Sequence, residues 1–220
     1  MGVLFMNEKI YLHTINNGSD GIYNSKRQLS VLTSILKDNM IKSLRLQGRE
    51  AHPSFSGLDY ISFSDYEKRE VYNKEMKYYN GFQGYCRDGL SITFPHEKLK
   101  VIEPTIVEIC SKDIYGYEKM FELGFSEDER YSDLPDEVQV KDFVKLDDMN
   151  GILFPTESFI DTKFFRTKKK KIELLKREIS VIKELLYKYN HSDINIYDID
   201  SLNEVNDEFI ESKILLTKNK

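Results

Sequence analysis

Lys9-Ile10-Tyr11-Leu12-His13-Thr14 is the stretch on which the fold turns. Ile10 and Leu12 fall on one face and Tyr11 and His13 on the other, the period of a half-buried strand. The same period returns at Leu58 to Phe63 and at Leu90-Ser91-Ile92-Thr93-Phe94, with further strand candidates at Ile41–Leu46, Leu99–Ile102, Glu137–Val144 and Gly151–Phe154. These strands are short and never strictly interleaved with long helices, which disfavours a doubly wound parallel sheet. The expected architecture is α+β: a mixed or antiparallel sheet body with helices at its flanks.

The helices between the strands carry their own punctuation. Ser25 with Gln28 forms a capping-box pattern ahead of Leu29, Leu32 and Leu36, and Asn39 is a suitable stop. Ser64 with Glu67 predicts a second helix from Asp65 towards Tyr78, and Ile114, Tyr117 and Phe121 are spaced as a third that Gly124 can end. The polar, acidic run Ser126 to Pro135 reads as a surface loop. Beyond a boundary near Pro155 to Asp161 the text changes. Ile172, Leu175, Ile179, Ile182 and Leu186 follow a three-four spacing, with Leu174, Val181 and Leu185 widening the stripe. Barely two heptads are too few for a free-standing coiled coil, so the stripe is expected to pack on the body or on a returning helix. Ser201 with Glu204 is a third capping box, ahead of Leu202, Val205, Phe209 and Ile210. The predicted organisation is therefore a body over residues 1–155 and an extension over 156–220 that forms a helical hairpin from about Thr167 to Leu216.

Composition narrows the chemistry. The chain has 220 residues, 40 % of them apolar and 31 % charged, with 5 Pro and 11 Gly, which describes a folded globular protein. A net charge of −5 argues against phosphate-backbone binding by the chain as a whole, although Arg166 and Lys168–Lys171 form a local basic run open to nucleic acid or anionic lipid. Cys86 and Cys110 are too few for a disulfide framework, and a reducing compartment is expected. His13, His52, His96 and His191 are scattered, with no His-Glu-x-x-His or Cys-x-x-Cys, so no metal site is expected. Asn17-Gly18-Ser19-Asp20-Gly21 is a turn rather than a phosphate cradle. No apolar stretch approaches the roughly 20 residues that span a bilayer. The opening Met-Gly-Val-Leu-Phe-Met lacks the features of a secretory signal, so the expected location is cytoplasmic, or another cell reached by a signal-independent route.

Four short segments remain. Tyr11-Leu12-His13-Thr14 ends the first strand, Leu32 to Ile41 leads from a helix to a strand, Asp59-Tyr60-Ile61-Ser62-Phe63-Ser64 ends another strand, and Pro135-Asp136-Glu137-Val138-Gln139-Val140 opens a late one. In this order, over about residues 8 to 155, the chain resembles the ADP-ribosyltransferase superfamily of bacterial toxins and effectors. The resemblance implies a split sheet around NAD, which serves as substrate. It assigns His13 to the adenosine-side ribose, Thr14 to the neighbouring backbone turn, and Tyr60 or Phe63 to the nicotinamide ring. Ser62 would support the catalytic carboxylate, and Glu137 would be that carboxylate. Breaking the bond between ribose and nicotinamide passes through an oxocarbenium-like state, and a carboxylate beside the ribose stabilises the developing positive charge.

The function this implies is NAD-dependent mono-ADP-ribosyl transfer onto a macromolecule, with a protein as the expected target and nucleic acid left open. The plainer reading makes Ser64 a cap, Glu137 a surface charge and His13 a satisfied edge histidine. The protein would then be a non-enzymatic α+β interaction module docking a partner through its helical hairpin.

Overall fold

The computed structural model describes residues 9–15, 23–48, 59–66, 89–99, 106–109, 137–163 and 165–216, with the backbone path alone at residues 65, 106–109, 137 and 216. The expected helices at Asp65–Tyr78 beyond residue 66 and at Ile114–Phe121, the acidic loop, the turn at 17–21, His52, Cys86 and Cys110 lie outside those residues.

The alternating segments form strands where the pattern puts them. β1 (Ile10–Thr14), β3 (Tyr60–Asp65), β4 (Ser91–Pro95), β6 (Glu137–Lys141) and β8 (Gly151–Phe154) join β5 (Ile106–Ile109) and β9 (Ile196–Asp198) in a seven-stranded sheet of order β5-β6-β3-β1-β4-β8-β9. Six of these strands pair antiparallel, and β9 alone runs parallel to its neighbour β8. β2 (Met40–Lys42) and β7 (Phe143–Lys145) make a separate two-stranded sheet. The α+β class with a mostly antiparallel sheet follows.

Helices cover one face of the large sheet. α1 (Ser25–Asp38) turns Leu32, Ile35 and Leu36 inward, as the spacing predicts, and Asn39 ends it in the left-handed conformation with φ 52°. Its N-cap is Asn24, whose side chain accepts from the Arg27 N–H; Ser25 is the first helical residue. The capping pattern is thus displaced by one position, because two good caps stand side by side. Freed from capping, Ser25 donates to Glu178 at 2.7 Å beside the Tyr23 hydroxyl at 2.8 Å, tying α1 to α4 (Lys168–Lys188). Burial and the Glu178 carboxylate push the Tyr23 hydroxyl well above its ordinary pKa. α4 buries Leu175, Ile179, Ile182 and Leu186 in the core shared with Phe63, Ile92, Val138 and Phe154. Each such burial is worth about 1.5–3 kcal/mol, which is why this stripe rather than the lysine-rich remainder sets how the helix sits.

Several expectations are corrected. Ser64, expected as a helix cap, lies inside β3, paired with Leu12 and with Glu137, and the helix it would open lies beyond the described residues. Leu99 does not start a strand. It ends the one-turn α2 (His96–Leu99), since Pro95 fixes its own φ near a helical value and the chain turns at once. The strand expected over Glu137–Val144 is two strands, because Asp142 takes a positive φ of 66° and passes the chain from the large sheet to the small one. There the Asp142 N–H donates to the Asp59 carbonyl, and the Asp142 carbonyl accepts from the Ser43 N–H.

The C-terminal hairpin is interrupted. After α3 (Thr156–Asp161) and α4, residues Ile196–Asp198 add β9 to the sheet before α5 (Asp207–Leu216) returns along α4. Ser201 bonds the buried Asp198 carboxylate instead of opening α5, whose first turn is capped by the Asn206 side chain. The extension therefore supplies a strand as well as helices, and its Ile196, Ile210 and Ile214 enter the same apolar core as the body.

Candidate functional site

The residues singled out in the sequence gather on β1, β3 and β6, which are adjacent in the sheet. Leu12 stands opposite Ser64 and Ser64 opposite Glu137, so one row of the sheet crosses all three strands. At about 4.8 Å per strand, the Glu137 backbone lies roughly 10 Å from that of Leu12, next to His13. Ser62 pairs with Gln139, and Tyr60 with Lys141.

The two ladders beside β1 differ. Five residue pairs link β1 to β4, whereas only Tyr11↔Asp65 and Leu12↔Ser64 link it to β3. Beyond Leu12 a side chain takes over. His13 Nδ1 lies 3.1 Å from the Ser62 carbonyl, and its ring tilts against Phe63 with centroids 5.5 Å apart. A carbonyl can only accept, so Nδ1 carries the proton, and in the neutral ring Nε2 is left as an acceptor. Burial lowers the His13 pKa below its ordinary value and outweighs the opposing effect of the Ser62 hydrogen bond. The ring is thus held neutral, in the tautomer able to accept a hydroxyl proton at Nε2.

Strand alternation sorts the remaining residues. Val138 and Val140 are fully buried on the helix-covered face, which sets Gln139 on the other face with its partner Ser62. There Gln139 Nε2 approaches Ser62 Oγ at 3.5 Å, and Thr14 Oγ1 bonds Ser91 Oγ at 2.9 Å. Ser62 is exposed, while Thr14, Tyr60 and Gln139 are half-buried. This is a polar patch of hydroxyls and one amide on the sheet face turned away from the main core.

His13 belongs to the opposite face, since it pairs with Ile92 and packs on Phe63 in the main core. The expectation that His13 and the Tyr60 or Ser62 side chains line one cleft is therefore corrected: His13 reaches Ser62 only through the backbone carbonyl. Phe63 has no accessible surface and meets Phe94 edge-on at 5.7 Å, so it serves the core. Of the two aromatics proposed for the nicotinamide, Tyr60 retains an open edge. Glu137 is placed by its register alone, opposite Ser64.

Gln139 and Gln28 escaped the sequence reading. The Glu-Val-Gln-Val-Lys alternation of residues 137–141 was the available signal for Gln139, since buried Val138 and Val140 leave the polar positions together. Gln28 looked like half of a capping box. Instead its side chain is buried and bridges the strands, donating to the Ile15 carbonyl and accepting from the Leu90 N–H, both at 2.8 Å.

Two hollows lie elsewhere, about 280 Å³ beside Ser25, Phe159 and Glu178, and about 580 Å³ beside Asn39, Asp147 and His191, and neither is lined by a predicted site residue. Among the described residues no group of three or more His, Cys, Asp or Glu side chains is arranged to hold a metal ion, and no helix is long and apolar enough to cross a membrane. No family model, curated protein or solved structure matches the chain.

Proposed function

We propose that the protein is an NAD-dependent mono-ADP-ribosyltransferase that releases nicotinamide and modifies a macromolecule, with the site on β1, β3 and β6. The observation that carries this reading is the row Leu12–Ser64–Glu137: three motifs far apart in the sequence occupy neighbouring strands in register. The residues fit a ribosyl ligand chemically. Thr14 and Ser62 offer hydroxyls and Tyr60 a partly open aromatic ring on one face of the sheet, while His13, on the opposite face, stands outside this set. Glu137 is the residue assigned to stabilise positive charge developing at the ribose.

The rival reading, a non-enzymatic module docking a partner through the stripe of the long helix, loses its surface. Leu175, Ile179, Ile182 and Leu186 are already buried against the sheet. Isothermal titration of the full chain with NAD tests the proposal. Binding in the micromolar to millimolar range is expected, weakened by Tyr60→Ala, and absence of binding would overturn it.

A further inference from the structure

The basic run serves neither the core nor the site proposed above. Arg166 and Lys168–Lys171 flank Thr167, the N-cap of α4, whose side chain accepts from the Lys170 N–H at 3.3 Å. Lysines in a first turn oppose the helix dipole, so local helix stability does not account for them. Lys170 is paired with Glu173 at 2.9 Å, but Arg166, Lys168, Lys169 and Lys171 have no ion pair among the described residues. Successive helical positions are turned by about 100°, so four consecutive lysines encircle the end of the helix rather than line one side. Such a ring suits a charged plane met end-on better than a groove.

Apolar side chains stand at the same end. Phe165, just ahead of the cap, is 94 % exposed, and Leu215 of α5 is 61 % exposed. Lys168 Nζ donates to the Leu215 carbonyl at 3.1 Å, fixing the end of α5 beside the start of α4. Two of the four large apolar side chains exposed among the described residues thus adjoin the densest positive charge of a chain whose net charge is −5. Phosphate alone would explain the lysines. An aliphatic leucine offers no ring for a base to stack on, but it partitions into hydrocarbon, as phenylalanine does.

We infer that this end of the molecule docks on an anionic lipid bilayer, with the lysine ring among the headgroups and Phe165 and Leu215 entering the acyl boundary. Sedimentation of the full chain with phosphatidylcholine vesicles, with and without phosphatidylserine, tests it. Binding is expected only with phosphatidylserine and falls with salt. Each neutralised lysine should weaken it about fivefold, so Lys169→Gln with Lys171→Gln loses about 25-fold. Phe165→Ser with Leu215→Ser should weaken vesicle binding by on the order of tenfold. Phe165, Lys169 and Leu215 are exposed and Lys171 is half-buried with no ion pair among the described residues, so melting temperatures should hold, and the lysine pair carries the test if the apolar pair disturbs folding. Equal sedimentation with both vesicle types, or indifference to the lysine pair, overturns the inference. So does tighter binding to a single-stranded oligonucleotide than to vesicles of equal charge concentration, which would make the surface a nucleic-acid site.

Discussion

On one face of the large sheet Phe63, Ile92, Val138 and Phe154 lie under α1, α4 and α5 with no accessible surface, while on the other face of the same strands Ser62 is exposed and Thr14 and Gln139 are half-buried. A second, smaller apolar cluster of Ile10, Leu12, Leu153, Tyr197 and Ile199 covers that other face across β1, β8 and β9. The polar side chains of Thr14, Ser62 and Gln139 belong to neither cluster, although Leu12 of the same face does. Side chains that carry packing are chosen by volume and hydrophobicity, whereas a patch relieved of packing can be chosen for what it binds.

Substitutions can break that contrast. The largest effect is expected in the covered face: Ile182→Ala removes a fully buried side chain and should cost about 3 kcal/mol of unfolding free energy, read by chemical denaturation. Gln28→Leu leaves the buried Ile15 carbonyl and Leu90 N–H without their partner, and should cost about 2 kcal/mol in the same measurement. Ser62→Ala, on the exposed patch, should change stability by no more than about 0.5 kcal/mol. A Ser62→Ala loss comparable to that of Ile182→Ala would mean that the patch is structural.

His13, on the covered face, makes the stability of that face dependent on pH. Its folded pKa is lowered from the ordinary 6.5, chiefly by burial. As pH falls through 6.5, the unfolded chain binds a proton that the folded ring resists, so the contribution of His13 to stability is present above that value and is lost towards the folded pKa. Melting curves across this range should show wild type losing stability as acid is added. His13→Asn should flatten that part of the profile, and an unchanged slope would count against a desolvated His13.

The strand β4 was legible because Leu90, Ile92 and Phe94 alternate with Ser91 and Thr93, β1 because Ile10 and Leu12 take one face and Tyr11 and His13 the other, and α4 because its stripe repeats over most of its length. β9 was not. Its three residues, Ile196-Tyr197-Asp198, are too few for a period to register, and Ser201 with Glu204 imitates a helix start in the turn that follows. The division of Glu137–Val144 depended on the backbone of Asp142, and hydropathy carries no sign of a positive φ. For the site, sequence order was enough to nominate residues on three neighbouring strands. It did not separate their faces, because the side on which His13 falls is decided by which strands flank β1 and in what register.

The role proposed for Glu137 is to supply the negative charge that stabilises the cleavage of NAD. Nicotinamide release by wild type and by Glu137→Gln, with melting temperature taken on the same samples, tests it most directly. The substitution keeps shape and hydrogen-bonding capacity and removes the negative charge. NAD binding and melting temperature are expected to hold while nicotinamide release falls by on the order of 100-fold or more. Undiminished release by the variant would contradict it.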